Sequence, residues 1–303
     1  MRTKLLLIVS IILVFAGSLP ARRMLRPGAA ETPTRSRRPM RIISMAPSVT
    51  ETLYALGVGD RVVGVSRFCG YPPEVAGVAQ IGGLLDPNFE AIVLLEPDLI
   101  VMLEEHRQSM PALEKLGLPS LAVRHKEVEG ILASIPAIGR ACNAEEGAAE
   151  LVADLEARIE RVRRKTAGLP RPRVLIAVDR TPGAGRPEDV FVAGADGYFD
   201  RIIALAGGRN ACGSTLGRFP VVSAEGILSM NPQVIVDLAA GIDHNRDEQG
   251  VLSTDWQSLS EVEAVAQRRV HALDESYATV PGPRFILLLE RLARLIHPEV
   301  DWQ

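Results

Sequence analysis

Short apolar runs alternate with amphipathic stretches from Arg41 to the end of the chain. Arg41–Met45, Val62–Val65, Leu99–Leu103, Leu121–Val123, Arg173–Val178 and Val234–Leu238 are rich in Val, Ile and Leu, and predict buried strands. Between them, helical periodicity runs from Ser48 to Leu56, Glu90 to Leu95, Ser109 to Lys115, Tyr198 to Ala206, Glu225 to Met230 and Phe285 to Ile296. Gly57, Gly117 and the Gly207-Gly208 pair stop three of these helices, and Ser48 or Thr50 can cap the first. Strands alternating with helices imply mostly parallel sheets covered by helices.

One phrase occurs twice. NFEAIVLLEPDLIV (Asn88–Val101) and SAEGILSMNPQVIV (Ser223–Val236) each place a glutamate, Glu90 or Glu225, early in a helix. A proline, Pro97 or Pro232, follows seven residues later, then a polar residue and a strand. LYALGVGDRVVG (Leu53–Gly64) and IIALAGGRNACG (Ile202–Gly213) form a second pair of helix end, glycine stop and short strand. Two lobes built on one plan follow, with the two glutamates in matching places. A Glu in a first turn gains ~0.3–1 kcal/mol from the helix dipole, which suffices for either residue alone. Carboxylates repeated on two lobes also suit a partner with twofold symmetry.

Between the repeats lies a longer pattern. Asn143 and Glu146 have capping-box spacing, and Leu151, Leu155, Ile159 and Val162 form one stripe before Gly168 and Pro170. At ~1.5 Å per residue a helix of this length exceeds ~30 Å, which suits a brace between lobes. The resulting division is 1–21 signal peptide or anchor, 22–40 tether, 41–142 N-terminal lobe, 143–169 connecting helix and 170–303 C-terminal lobe. At the N-terminus Arg2 and Lys4 precede the apolar run Leu5–Gly17, which is shorter than a membrane-spanning helix, and small residues follow at Ala16 to Ser18 and Ala21. This predicts export from the cytoplasm, with either cleavage or retention of the segment as an anchor, since Arg22, Arg23 and Arg26 follow directly. Residues 22–40 are rich in Arg, Pro and Thr without an apolar period, as in an exposed tether.

Composition narrows the function. The 303 residues are 47% hydrophobic with a net charge of −3, which supplies a sizeable core and no basic footprint for nucleic acid. Cys69, Cys142 and Cys212 are too few and too irregular for a disulfide framework or a zinc site, although one pair can oxidise outside the cytoplasm. His106, His125, His244, His271 and His297 have no metal-binding spacing and read as surface or loop residues. No nucleophile elbow is present, and no catalytic role is assigned. The glycine loop TPGAGRPED (Thr181–Asp189) follows a strand as phosphate-binding loops do, but lacks the third glycine and carries Pro187, Glu188 and Asp189, so it reads as an ordinary loop.

Taken together, RIISMAPSVTETLYALGVGDRVVGVS, YPP (Tyr71–Pro73), the two repeated phrases, FVAGADGYFDRIIALAGG and GPRFILLLERLA resemble the extracytoplasmic binding proteins of ABC importers for cobalamin, iron siderophores and haem. The resemblance covers nearly all of residues 41–297. It implies the helical-backbone (type III) periplasmic-binding-protein fold: an α/β protein of two lobes, each a small mostly parallel sheet flanked by helices, joined by one long helix. It implies a monomer with no intrinsic cofactor or metal, a metal-chelate ligand held between the lobes, and a permease dimer with its ATPase as partner. Glu90 and Glu225 become the carboxylates that dock on the permease. In the cobalamin branch the cleft positions fall on Ser48, Phe68, Leu84, Phe191, Phe219 and Ser276. Leu84 stands where that branch has tryptophan and Ser276 where it has an acid, and Tyr277 offers an aromatic contact nearby. Cobalamin, a ferric siderophore and haem therefore remain open as the ligand. A two-lobed metal-handling protein or enzyme, with Cys69 near the cleft, and an anchored surface module without a transporter are the competing classes.

Overall fold

A computed structural model describes residues 38–195, 197–213, 217–238 and 255–303. The N-terminal apolar run, most of the tether and His244 lie outside the described residues. Residues 38–303 form one compact unit.

The first sheet is built from β1 (Ile42–Ser44), β2 (Val62–Val65), β3 (Ala79–Gln80), β4 (Leu99–Leu103) and β5 (Ser120–Val123), in the order β3-β2-β1-β4-β5, all parallel. Its helices are α1 (Pro47–Ala55), α2 (Phe89–Leu94), α3 (Met110–Lys115) and α4 (Val128–Cys142), followed by the long α5 (Glu145–Thr166). The second sheet contains β6 (Arg173–Asp179), β7 (Val190–Val192), β8 (Arg209–Asn210), β9 (Val221–Val222), β10 (Val234–Asp237) and β11 (Val270–Ala272). Its order is β11-β10-β6-β7-β9, with β8 beside β6; β7 runs antiparallel to both β6 and β9. Helices α6 (Tyr198–Leu205), α7 (Ala224–Met230), α8 (Glu263–Ala266) and α9 (Phe285–Ile296) complete the fold. Two mostly parallel sheets flanked by helices are thus present, as expected.

The strands divide their side chains with period two, and that division makes three cores. Ile42, Leu99, Val101, Val174, Ile176, Val234 and Val236 point into one continuous cluster with Ile131, Leu155, Val162, Ile202 and Leu289 from the helices. Ile43, Met45, Ile100 and Met102 point to the other face of the first sheet, and Leu175, Ala177 and Ile235 to the other face of the second. Burial on both faces explains why these strands are unbroken apolar runs. The shared core joins the two sheets through α4, α5, α6 and α9.

Three local expectations are corrected. Asn143 does not cap the long helix: it ends α4 in the left-handed conformation (φ 52°), and α5 begins at Glu145 with Ala144 as its cap residue. Ser48 and Thr50 do not cap α1, whose cap residue is Ala46 with Pro47 in the first turn. Pro is suited to that position because its missing N–H would be unpaired there in any case. Helix α4 itself was not legible, because Gly130, Pro136 and Gly139 interrupt its stripe.

The repeated phrase folds twice in the same way. Asn88 caps α2 by accepting from the Ala91 N–H at 3.0 Å, and Ser223 caps α7 by accepting from the Gly226 N–H at 3.3 Å. Each helix is left through a positive φ, 44° at Glu96 and 41° at Asn231. The polar residue after each proline then accepts from the backbone of an arginine opening the neighbouring strand, Asp98 from Arg41 at 2.9 Å and Gln233 from Arg173 at 3.0 Å. Each guanidinium returns to the helix end, Arg41 to the Leu95 carbonyl and Arg173 to the Asn231 carbonyl. The duplication is therefore a duplicated hydrogen-bond unit, closed by long-range partners.

Candidate functional site

All strands of the first sheet point the same way, so the loops after β1, β2, β3, β4 and β5 share its carboxyl edge. The strand order reverses between β1 and β4, and such switch points open a crevice. Ser48 follows β1, Phe68 follows β2, Leu84 follows β3, and His125 and Lys126 follow β5. From the second sheet, Ser276 and Tyr277 follow β11, Phe191 lies in β7 opposite Asp179, and Phe219 precedes β9.

The segment 276–284 crosses to the first sheet. Arg284 donates to the Glu51 carboxylate at 2.5 Å and to Ser276 Oγ at 3.2 Å, and its guanidinium lies 3.7 Å from the centre of the Tyr71 ring. A Cβ on Gly282 would stand 3.1 Å from Ser48 Cα and 3.0 Å from Glu51 Oε2, so glycine permits this approach. Burial raises the Glu51 carboxyl, and Arg284 offsets part of that rise. Beside it the phenol of Tyr198 is buried without a hydrogen-bond partner, and is pushed up by burial and by the Glu51 charge.

Ser48 is buried, and its hydroxyl meets His125 Nδ1 at 2.8 Å. His125 Nε2 meets Ser134 Oγ at 2.7 Å, and Ser134 donates onward to the Ile131 carbonyl. With its proton committed to Ile131, Ser134 accepts from Nε2–H, which leaves Nδ1 to accept from Ser48. Burial lowers His125 to about 4, so the ring is neutral at pH 7 with both nitrogens satisfied. His106 and His297 are buried as well, which corrects the expectation of surface histidines.

Above this layer lies a cavity of about 200 Å³, walled by Leu103, His125 and Lys126 from one sheet and Tyr198, Phe199 and Phe219 from the other. Of the sequence-predicted cleft residues, Phe219 lines it directly, while Ser48 stands behind His125. Phe68, Leu84, Phe191, Ser276 and Tyr277 lie along the carboxyl edges outside this cavity. Phe68, Phe191 and Phe219 are 57%, 43% and 48% exposed, so none belongs to the packed core. A larger hollow of about 790 Å³ is bordered by Glu129, Glu156, Arg163 and Arg201, and holds none of the predicted residues. Glu51, His125, Tyr198 and Phe199 were missed by sequence reasoning. The first three are single polar residues in apolar surroundings, and only their long-range partners reveal them.

Other candidate chemistry is accounted for internally. The amides of Gly183 and Gly185, which a phosphate would need, donate to Asp255 at 2.8 Å each. Asp255 also accepts from Arg180 at 2.6 Å, and Arg180 donates to Asp237 at 2.7 Å. Burial raises Asp255, but Arg180 and the two amides outweigh it and hold it below the usual carboxylate range. The three cysteines are free thiols; Cys142 and Cys212 are buried in different cores, and Cys69 contacts Thr50 Oγ1 and Ser66 Oγ. Among the described residues no group of three His, Cys, Asp or Glu is placed to hold a metal, and no helix is long and apolar enough to cross a membrane. Glu90 and Glu225 are both exposed, each the second residue of its capped helix. Its own backbone N–H and the Ser223 hydroxyl hold Glu225 below the usual range, and Arg186 stands 3.5 Å away.

Comparisons with known proteins agree with this geometry. Residues 42–277 match the family model described as periplasmic binding protein. An uncharacterized ABC transporter substrate-binding lipoprotein, YvrC of Bacillus subtilis, is 31% identical over 277 residues, covering 88% of this chain and 82% of its own. A vitamin B12-binding protein of Pectobacterium carotovorum is 27% identical over 258 residues, covering 84% and 87%. Among solved structures, the periplasmic vitamin B12 binding protein BtuF of Vibrio cholerae superposes with a TM-score of 0.73 at 25% identity, over 86% of this chain and 98% of that one. The periplasmic heme-binding protein RhuT of Roseiflexus sp. RS-1 gives 0.69 at 26% identity, over 85% and 98%. With its two helix-flanked sheets, its inter-sheet cavity and a family match running from the first strand to Tyr277, the chain belongs to the periplasmic binding protein family.

Proposed function

We propose that this chain is the capture component of an ABC importer, acting outside the cytoplasm as a monomer. It takes a metal chelate, cobalamin or an iron complex such as a ferric siderophore or haem, at the carboxyl edges of its two sheets. It then presents the chelate to a permease dimer powered by a separate ATPase. The observation that carries the reading is the placement of the phenylalanines. Six of the seven lie among the described residues, and Phe68, Phe191 and Phe219 are the three that are exposed. Exposed aromatic rings, Phe68 and Phe219 on loops and Phe191 within β7, suit a flat, partly apolar ligand, since each ring can bury ~150–250 Å² against it. This half-open cavity of about 200 Å³ accommodates one edge of such a ligand, with the outer rings covering the rest.

Glu90 and Glu225 act as the docking carboxylates, supported by their matched positions on two copies of one structural unit. The core shared between the sheets favours a small closing movement over a wide hinge. The direct test is calorimetry on the mature chain with cyanocobalamin, haemin and ferrichrome. Saturable binding of one is expected, and silence across the panel rejects chelate capture.

A further inference from the structure

Among the described residues, the cavity between the sheets carries one charge without a counter-charge. On the first sheet, Lys126 pairs with Glu105 at 3.5 Å, and both border the cavity. On the second, Arg218 borders it beside Phe219, is exposed, and has no ion pair or side-chain hydrogen bond among the described residues. Arg284, the other nearby guanidinium, is committed to Glu51. The described residues that line the cavity therefore leave an excess of positive charge, concentrated on one side chain.

Arg218 is stationed there by glycines. A Cβ on Gly194 would lie 1.8 Å from the Gly217 carbonyl oxygen, so only glycine lets these two segments meet. The Gly194 N–H donates to the Arg218 carbonyl at 2.8 Å, and Gly217 takes a positive φ of 81° that turns the chain toward the cavity. A Cβ on Gly197 would touch the Arg218 stem, at 3.4 Å from Cγ and 3.7 Å from Nε. The stem thus lies across a bare backbone, and the guanidinium is carried to the cavity beside the Phe219 ring. Phe219 is itself set edge-on against Phe199, with ring centres 6.3 Å apart. An aromatic wall and a planar cation without an ion pair among the described residues, neighbours in sequence and both lining the cavity, match a ligand whose flat body carries an anionic arm.

Resting on the capture reading above, we propose that Arg218 binds an anionic substituent, a carboxylate or a phosphate, of the chelate held in the cleft. The chelate therefore carries an anionic substituent, whatever its net charge. The test uses the mature chain and three probes: haemin, whose anionic groups are carboxylates; cyanocobalamin, whose anionic group is a phosphodiester; and ferrichrome, which has no anionic group beyond the hydroxamates that hold its iron. Haemin or cyanocobalamin binds, and which of them does so names the anion. Arg218→Gln weakens that binding roughly tenfold to a hundredfold and flattens its dependence on salt, Arg218→Lys restores part of it, and Lys126→Gln changes it only a few-fold. Equal affinity of the Arg218→Gln chain, or preference for ferrichrome, overturns this inference and leaves chelate capture standing. Failure of all three probes removes both.

Discussion

Glu51 and Arg284, 233 residues apart in sequence, form a buried ion pair that ties the carboxyl edge of the first sheet to the segment after β11. The pair is reinforced by the Tyr71 ring stacked on the guanidinium and by the close approach of Gly282 to Ser48. Removing one partner strands the other charge away from water, at a cost of ~3–5 kcal/mol. Glu51→Gln and Arg284→Met are each expected to lower stability by that order in a urea unfolding curve. The double variant loses less than the sum, because neither charge is then left alone. Additive losses would show that the two side chains do not act as a pair.

Tyr198 gives the opposite sign. Its hydroxyl is buried and unpartnered, so it contributes a desolvation cost without a hydrogen bond in return. Tyr198→Phe keeps the ring that packs beside Phe199 and is expected to be neutral or stabilising by ~1 kcal/mol, seen as an unchanged or higher Tm. A clear fall in Tm would mean that the hydroxyl has a partner in solution.

His125 sets a pH window. Burial lowers it from 6.5 to about 4 in the folded chain, while the unfolded chain titrates near the ordinary value. Between those values the unfolded state binds more protons, so stability falls as pH drops from about 6.5 to about 4 and this contribution levels off below. The full loss is about 3 kcal/mol at 1.36 kcal/mol per pH unit. Denaturant unfolding from pH 7 to pH 4 checks it. His125→Gln is expected to remove most of the slope attributable to this residue, and an unchanged slope would assign it elsewhere.

Docking is tested by charge reversal. The chain carrying both Glu90→Lys and Glu225→Lys is expected to bind its ligand with unchanged affinity and to support no uptake with the partner permease. Either single change gives an intermediate loss, since each carboxylate sits on its own copy of the repeated unit. Normal uptake by the double variant rejects the docking role.

Gly194 tests the shelf under Arg218. With 1.8 Å between an added Cβ and the Gly217 carbonyl, Gly194→Ala must push the two segments apart. A loss of ~1–3 kcal/mol is expected from such overpacking, together with weaker ligand binding as Arg218 and Phe219 shift. Unchanged stability would show that the segment yields freely.

Much of this was legible in the sequence because it is local or periodic. The β4 range Leu99–Leu103 and the α9 range Phe285–Ile296 were expected as observed, since an unbroken apolar run and a strong helical stripe leave little choice. The repeated phrase was visible, but its reason was not, because Arg41 and Arg173 lie far from Asp98 and Gln233 in sequence. Helix α4 was hidden by Pro136 and two glycines that tertiary packing tolerates. Asn143 had the right spacing for a start and instead forms an end, since a left-handed Asn is equally at home after a helix. The exposed phenylalanines came from a family resemblance. Glu51, His125 and Tyr198 carry no spacing signal at all.

The glycine loop after β6 draws a different kind of lesson. Asp255 already sits on the amides that give such loops their appetite for phosphate, so the loop is saturated by the chain's own anion before any nucleotide arrives. A likeness that would suggest an engine is here a lock.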